Sequence, residues 1–369
     1  MIEYLYANNY KSFVNFRIEF DKSNLLIGKN GTGKSNVLFL IASIRDVING
    51  SIQSLSESFP PSTTTRWMKS NIQSFELGIV DGDSRFVYQL EIEQDTVQAK
   101  TVIRAEKITC DGQILFLRTD GSAQIYDDDN NVNNALVDPT ASGVAFVPAQ
   151  TIYSRLIRFK VQIGNIILCT PNPKRMEDRV QNDIYVPNID FSNIASTFAG
   201  IVLTNPDIYG ELVKTYKETS PGFYKASISV DLFFKRLKLD YRYNDADCPY
   251  FFNELSDGER MLFALYILLY GFIKQGKTIL LDEPDNYLSL REMQPWCINV
   301  ERELSEDGQC IMISQHPEIM DYMAETDGIW MTRIASGESR IIDKPNIGAN
   351  EDLLTYSEMI ARGLLDEAE

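Results

Sequence analysis

Gly28-Lys29-Asn30-Gly31-Thr32-Gly33-Lys34-Ser35 is the stretch on which the fold turns. It satisfies G-x-x-x-x-G-K-[ST] at every fixed position. Leu25-Leu26-Ile27 before it reads as the end of a strand, and Val37, Leu38, Leu40, Ile41 and Ile44 after it follow helical spacing. Gly28, Gly31 and Gly33 let the backbone curl so that successive N–H groups point at one anion, and the helix start adds a favourable partial charge. Lys34 is then placed to reach the β- and γ-phosphates of ATP, and the Ser35 hydroxyl to ligate Mg²⁺.

Three downstream motifs extend this reading. Ile279-Leu280-Leu281-Asp282-Glu283 is an apolar strand that ends in two acids. Adjacent side chains at a strand end point to different sides, so two roles are expected; in nucleotide hydrolases of this class the first acid, here Asp282, holds Mg²⁺, and the second, Glu283, is the general base that polarises the attacking water. Leu255-Ser256-Asp257-Gly258-Glu259-Arg260 opens a helix, with Ser256 and Glu259 at capping-box spacing. It reads either as a plain helix start or as a γ-phosphate contact, made by the Ser256 hydroxyl and the Gly258 N–H to ATP held by a second subunit. His316, the single histidine, follows the apolar run Cys310–Ile313 and Ser314-Gln315, where it would meet the γ-phosphate and the attacking water. Gln150 is a candidate to join Mg²⁺ and water, with Gln162 and Gln181 as alternatives. Lys11 and Ser12 either line the nucleotide site or form an ordinary strand-edge turn.

Bulk composition narrows the class. With 44% apolar and 24% charged residues, the 369-residue chain should fold as a soluble globular protein with a sizeable core. A net charge of −17 argues against a surface coated with basic side chains for non-specific nucleic-acid binding, though a local basic groove is compatible with it. The five cysteines are scattered without a CxxC pair, which reads as reduced thiols in a cytoplasmic protein. The longest apolar stretch, Met261–Ile273, is too short to span a bilayer and follows a helix-start signal, so no membrane association is expected.

Between the motifs, residues 2–7 and 16–27 read as strands, and the Ser/Thr-rich 51–65 as a mobile loop. From Phe75 to about Tyr126 the pattern is strands, clearest in the period-two run Phe86–Glu93, with turns at Asp81-Gly82 and Asp111-Gly112. Asp127–Asn134 reads as a polar loop and Val144–Val147 as a buried strand. Residues 151–245 read as helices with a strand near Ala226–Val230. From 255 onward the order is helix, strand, helix, strand, and a hairpin turning near Ser336-Gly337. No sustained heptads point to a long coiled coil.

Together these residues resemble the ABC-type ATPases of the SMC, RecF and OLD group. The opening "NYKSFVNFRIEF…LLIGKNGTGKSN" is similar to that group's N-terminal strand pair and glycine loop, including Asn36 after the Ser, which implies Asn30 and Asn36 as nucleotide contacts; "LSDGER" is similar to its signature motif, and "LLDEPDNYLSL" to its acidic strand and the following loop. The resemblance covers about residues 1–45 and 250–335. Two departures are Ser289, where ABC proteins often carry Asp, and Gln315, where Ser or Thr is common before the histidine. A third is length: about 50 residues follow His316, too few for the TOPRIM-type nuclease domain of OLD proteins.

The resemblance implies an α/β P-loop NTPase, an ABC-ATPase-like head with a β-rich lobe and a helical signature lobe. Residues 1–150 and 276–369 would form the nucleotide-binding lobe, and 151–275 the mainly helical lobe. ATP and Mg²⁺ would drive pairing of the chain with itself, as a dimer or higher homo-oligomer. Compact relatives of this kind are often encoded beside a separate effector, commonly a nuclease, in bacterial anti-phage systems, and the resemblance suggests that context. The alternatives are a RecF-like repair ATPase that binds DNA directly and an ATP-binding scaffold with little turnover.

Overall fold

The alternation of the N-terminal third folds as strands in the computed structural model, which describes residues 1–51, 54–95, 100–119, 121–181, 185–231, 234–344 and 355–358. In chain order the first elements are β1 (Ile2–Asn8), β2 (Phe16–Glu19), β3 (Ser23–Ile27), α1 (Lys34–Asn49) and the short α2 (Leu55–Ser58). Then come β4 (Ile72–Asp81), β5 (Ser84–Asp95), β6 (Lys100–Cys110), β7 (Gln113–Thr119), β8 (Ser122–Tyr126), β9 (Val132–Leu136) and α3 (Ser154–Gly164). Eight of these strands form one antiparallel sheet of order β2-β1-β4-β5-β6-β7-β8-β9. On β5 the buried apolar set is Phe86, Tyr88, Leu90 and Ile92, as period two requires, and Phe159 of α3 packs on Phe86 and Tyr88. The β6–β7 turn has positive φ at both Asp111 and Gly112 (49° and 81°), the twist-matched form of a two-residue hairpin.

The chain divides into two compact units, Met1–Ile166 with Asp327–Glu369, and Ile167–Thr326. The second unit contains β10 (Ile166–Cys169), α4 (Ile194–Thr204), α5 (Pro206–Thr219), β11 (Phe223–Asp231), β12 (Phe234–Tyr243), β13 (Ala246–Phe251) and α6 (Asp257–Leu268). It continues with β14 (Thr278–Asp282), α7 (Leu290–Glu303), β15 (Gln309–Ile313) and α8 (Pro317–Met323). β14 and β15 pair in parallel, with Asp282 opposite Ile313, and β10 flanks β14. Every residue from Met261 to Leu268 is buried, and the Trp296 indole N–H of α7 donates to Leu265 O at 2.9 Å. Back in the first unit, β16 (Gly328–Arg333) pairs in parallel with β3, and β17 (Ser339–Ile342) antiparallel with β16. Among the described residues no helix is long and apolar enough to cross a membrane.

Several local expectations are corrected. The 51–65 stretch is packed where it is described: Phe59 is fully buried against Phe75, and its carbonyl accepts from Gln94 and Thr101 side chains. Val144–Phe146 is a single 3-10 turn, with Phe146 73% exposed, because the chain turns at Gly143 and Pro148 cannot donate to a sheet. Asp127 closes a tight turn through the N–H groups of Asp129 and Asn131, and β9 starts at Val132 instead of loop. The single strand expected near Ala226–Val230 is part of a three-stranded sheet, β11-β12-β13, whose second turn is Asn244-Asp245.

A buried charge pair organises the large sheet. Glu106 on β6 and Arg118 on β7 are both fully buried. The Glu106 carboxylate accepts from the Tyr88 hydroxyl (2.8 Å), the Gly143 N–H (3.0 Å) and the Ser142 hydroxyl. Arg118 donates to Ala141 O (2.7 Å) and Asp138 O (2.8 Å), so the pair pins residues 138–143. Burial pushes the Glu106 carboxyl up and the Arg118 guanidinium down from their ordinary values, and each charge opposes the shift of the other. Arg118→Met is expected to cost about 3–5 kcal/mol of stability, because it strands a buried carboxylate and two carbonyls. Chemical denaturation checks this, and a loss under about 1 kcal/mol would remove the pair from any organising role.

Candidate nucleotide site

In the first unit, Gly28–Ser35 joins the end of β3 to the start of α1. Two glycines are there of necessity. At Gly28 (φ +154°) a Cβ would lie 2.2 Å from Met331 O, and at Gly33 (φ +102°), the N-cap of α1, 2.9 Å from the Phe13 ring. The first turn of α1 carries no acid, so its N-terminal field stays positive. Lys34 is buried, and its ammonium donates to Gly28 O (2.7 Å) and Lys29 O (3.0 Å), folding over the loop it serves. Asn30 and Gly31 are exposed at the loop's crest, and Ser35 and Asn36 are half-buried on the first turn of the helix.

Lys11 and Ser12 are brought to the same place. The Lys11 ammonium donates to Asn36 Oδ1 at 2.7 Å, and its burial lowers the pKa of the amine. The Ser339 hydroxyl donates to Thr32 O (2.7 Å) and lies within hydrogen-bond distance of the Ser12 hydroxyl (2.8 Å), so the 10–12 turn and the phosphate loop share one hydrogen-bond frame. Gln150 is exposed at the start of a 3-10 turn, Gln162 donates to Asp81 at 2.9 Å, and Gln181 donates to Glu177.

In the second unit, β14 is buried along its whole length and Asp282 is 7% exposed at its end. Glu283 adopts a left-handed backbone (φ +50°), uncommon for a residue with a Cβ, while its N–H continues the ladder to Ile313 O at 3.0 Å. Its carboxylate accepts from Asn286 Nδ2 (3.1 Å) and from the Gln315 side-chain amide. Asp285 is buried beside Ser314, and burial raises its pKa. Among the described residues, Asp285 Oδ1 and His316 Nδ1 are buried without hydrogen-bond partners. His316 caps α8, with its N–H on Ser314 Oγ at 3.1 Å.

Asn286, Asp285 and Gln315 were not among the residues expected at the site. Their one sequence signal is adjacency to Glu283 and His316, and only the pairing of β14 with β15 brings Gln315 to the acid.

Ser256 opens α6 with a reciprocal capping box. Its hydroxyl accepts from Glu259 N (3.3 Å), and the Glu259 carboxylate accepts from Ser256 N (2.9 Å) and Oγ (2.7 Å). A Cβ on Gly258 would come 3.1 Å from Tyr287 O, so the start of the signature helix touches the loop after Glu283. Ser289 opens α7 in the same manner, with Glu292 accepting from its N–H and hydroxyl. Position 289 is thus held by a helix-starting residue.

Residues 1–111 match the AAA ATPase domain family. No curated protein matches the chain. Among solved structures it is similar to an SMC head bound to the C-winged helix domain of ScpA, with TM-score 0.55 and 18% identity, covering 92% of this chain and 97% of that one. It is also similar to the SMC head domain from Thermotoga maritima, with TM-score 0.51 and 15% identity over 94% and 99% of the two chains. A third is an SMC head with an extended coiled coil bound to the C-terminal domain of ScpA from Pyrococcus furiosus, with TM-score 0.51 and 15% identity over 92% and 95%. At such identities the likeness is one of fold. With a complete phosphate loop at the head of α1 and paired acids at the end of β14, the chain has the fold of an SMC head domain, and its first 111 residues match the AAA ATPase domain family.

Proposed function

We propose that the chain is a Mg²⁺-dependent ATPase whose ATP-driven self-pairing controls or scaffolds a separate effector protein. The observation that carries this reading is the phosphate loop, with Lys34 folded over an acid-free helix N-terminus. In this reading Gly31, Gly33, Lys34 and the Ser35 and Asn36 turn hold the triphosphate, with Asn30, Lys11 and Ser12 at its margin. Ser256, Gly258 and Glu259 of a second copy close over the γ-phosphate. Ser35 and Asp282 offer hard oxygen donors that suit Mg²⁺, which keeps most of its shell as water and phosphate, and Gln150 is its third proposed ligand. Bound there, the ion would neutralise charge on the β- and γ-phosphates. Glu283, held by Asn286 and Gln315, takes the proton from the attacking water, and His316 donates a hydrogen bond to the γ-phosphate.

The control of an effector, and its place in bacterial anti-phage defence, rest on the sequence resemblance. The net charge of −17 favours a protein partner over the phosphate backbone of nucleic acid. Two of the similar SMC heads hold a ScpA domain, which supports a protein-binding role for heads of this fold.

The test uses Glu283→Gln to trap ATP. Its mass in solution is expected to double or more with ATP and Mg²⁺, and its DNA affinity to stay weak at physiological salt. Both are read by sedimentation and by filter binding across a salt series. Tight, steeply salt-dependent DNA binding by the ATP-trapped variant would replace effector control with the RecF-like reading.

A further inference from the structure

The chain has three tryptophans, and two of them are core residues: Trp296 is 1% exposed and Trp330 is 2% exposed. Trp67 is 46% exposed. An indole left nearly half in water forgoes much of the stabilisation that burial of a large aromatic supplies. Trp67 lies in the segment between α1 and β4, which is pinned to the turn that carries Lys11. The Lys11 N–H donates to Thr63 O at 2.6 Å, and the Thr65 N–H to Asn9 Oδ1 at 3.1 Å. On the other side, a Cβ built on Gly337 would come 3.1 Å from the edge of the indole. Gly337 is in the β16–β17 turn, and two residues later Ser339 donates to Thr32 O inside the phosphate loop at 2.7 Å. The indole therefore stands one hairpin turn from the phosphate loop, within the same unit and on the same frame that holds Lys11 and Ser12. Arg66 and Lys69 beside it are exposed cations, which suits an anionic ligand.

We propose that Trp67 is the platform on which the base of the bound nucleotide stacks. A nucleotide whose phosphates rest on Gly31–Lys34 must lead its ribose and base out along one flank of the loop, and Trp67 offers a flat apolar face on the flank built by the 10–12 and 334–339 turns. Base–indole stacking is sequence-tolerant, since every base has a π-face, so Trp67 supplies affinity for the nucleoside end without choosing among bases. The proposal rests on the reading of Gly28–Ser35 as an ATP phosphate loop.

The test separates the two by using one ligand that has a base and one that lacks it. Calorimetry of the full chain with ATP and with inorganic tripolyphosphate, each with Mg²⁺, is run on wild type, Trp67→Ala and Trp67→Phe. Trp67→Ala is expected to weaken ATP binding by about 5- to 150-fold and to leave tripolyphosphate binding unchanged. Trp67→Phe, which keeps an aromatic face, should recover most of the loss. Unchanged ATP affinity in Trp67→Ala would overturn the stacking role, as would an equal loss for both ligands, which would place the residue's effect on the loop itself. A wild-type chain that binds neither ligand would overturn the phosphate-loop reading and the stacking with it.

Discussion

Lys34→Ala is expected to remove tight ATP binding. The Lys34 ammonium is buried and within 2.7–3.0 Å of two carbonyls of the phosphate loop, Gly28 O and Lys29 O, so it needs little reorganisation to meet a phosphate. A charge-assisted hydrogen bond in such a setting is worth about 1.5–3 kcal/mol, which is about 10- to 150-fold in affinity. The substitution also frees two carbonyls that the ammonium now holds, so the loop's shape suffers along with its charge. Binding is measured by calorimetry with Mg-ATP, with the fold checked by circular dichroism. An affinity equal to wild type would mean that the triphosphate is held somewhere other than Gly28–Ser35.

Glu283→Gln should do the opposite: keep ATP and lose turnover. The acid stands at a strand end in a left-handed backbone conformation, a local strain that persists where the surroundings over-determine it. Here the surroundings are the N–H bond to Ile313 O and the amides of Asn286 and Gln315 on its carboxylate. A glutamine keeps the shape and removes the basic oxygen, so phosphate release is expected to fall by about 10²- to 10⁴-fold. Gln315→Ala, which removes one of the two holding amides, is the natural comparison and should give a smaller loss. Phosphate release from Glu283→Gln at the wild-type rate would assign the general base to another group.

The parts of this protein that were legible in its sequence are those whose geometry is local. The glycine spacing of 28–35 dictates a curled loop because Gly28, Gly31 and Gly33 take positive φ values that side chains rarely adopt, and the apolar spacing after Lys34 dictates a helix. The period-two run at Phe86–Glu93, the turn at Asp111-Gly112 and the capping box at Ser256–Glu259 are likewise read within a few residues, and each forms as expected. What the sequence left open depends on partners far along the chain. Phe59 is ordered because Gln94 and Thr101 hold its carbonyl and Phe75 covers its ring, and nothing in a Ser/Thr-rich stretch announces those contacts. Gln315 reaches Glu283 only through the pairing of β14 with β15, and Trp67 reaches the phosphate-loop frame only through a hairpin more than 250 residues later. Motif, period and cap are properties of short stretches of backbone, so the sequence by itself determined the chemistry at each point. Which side chains support that chemistry is set by long-range strand pairing and burial, so only the tertiary structure decided it.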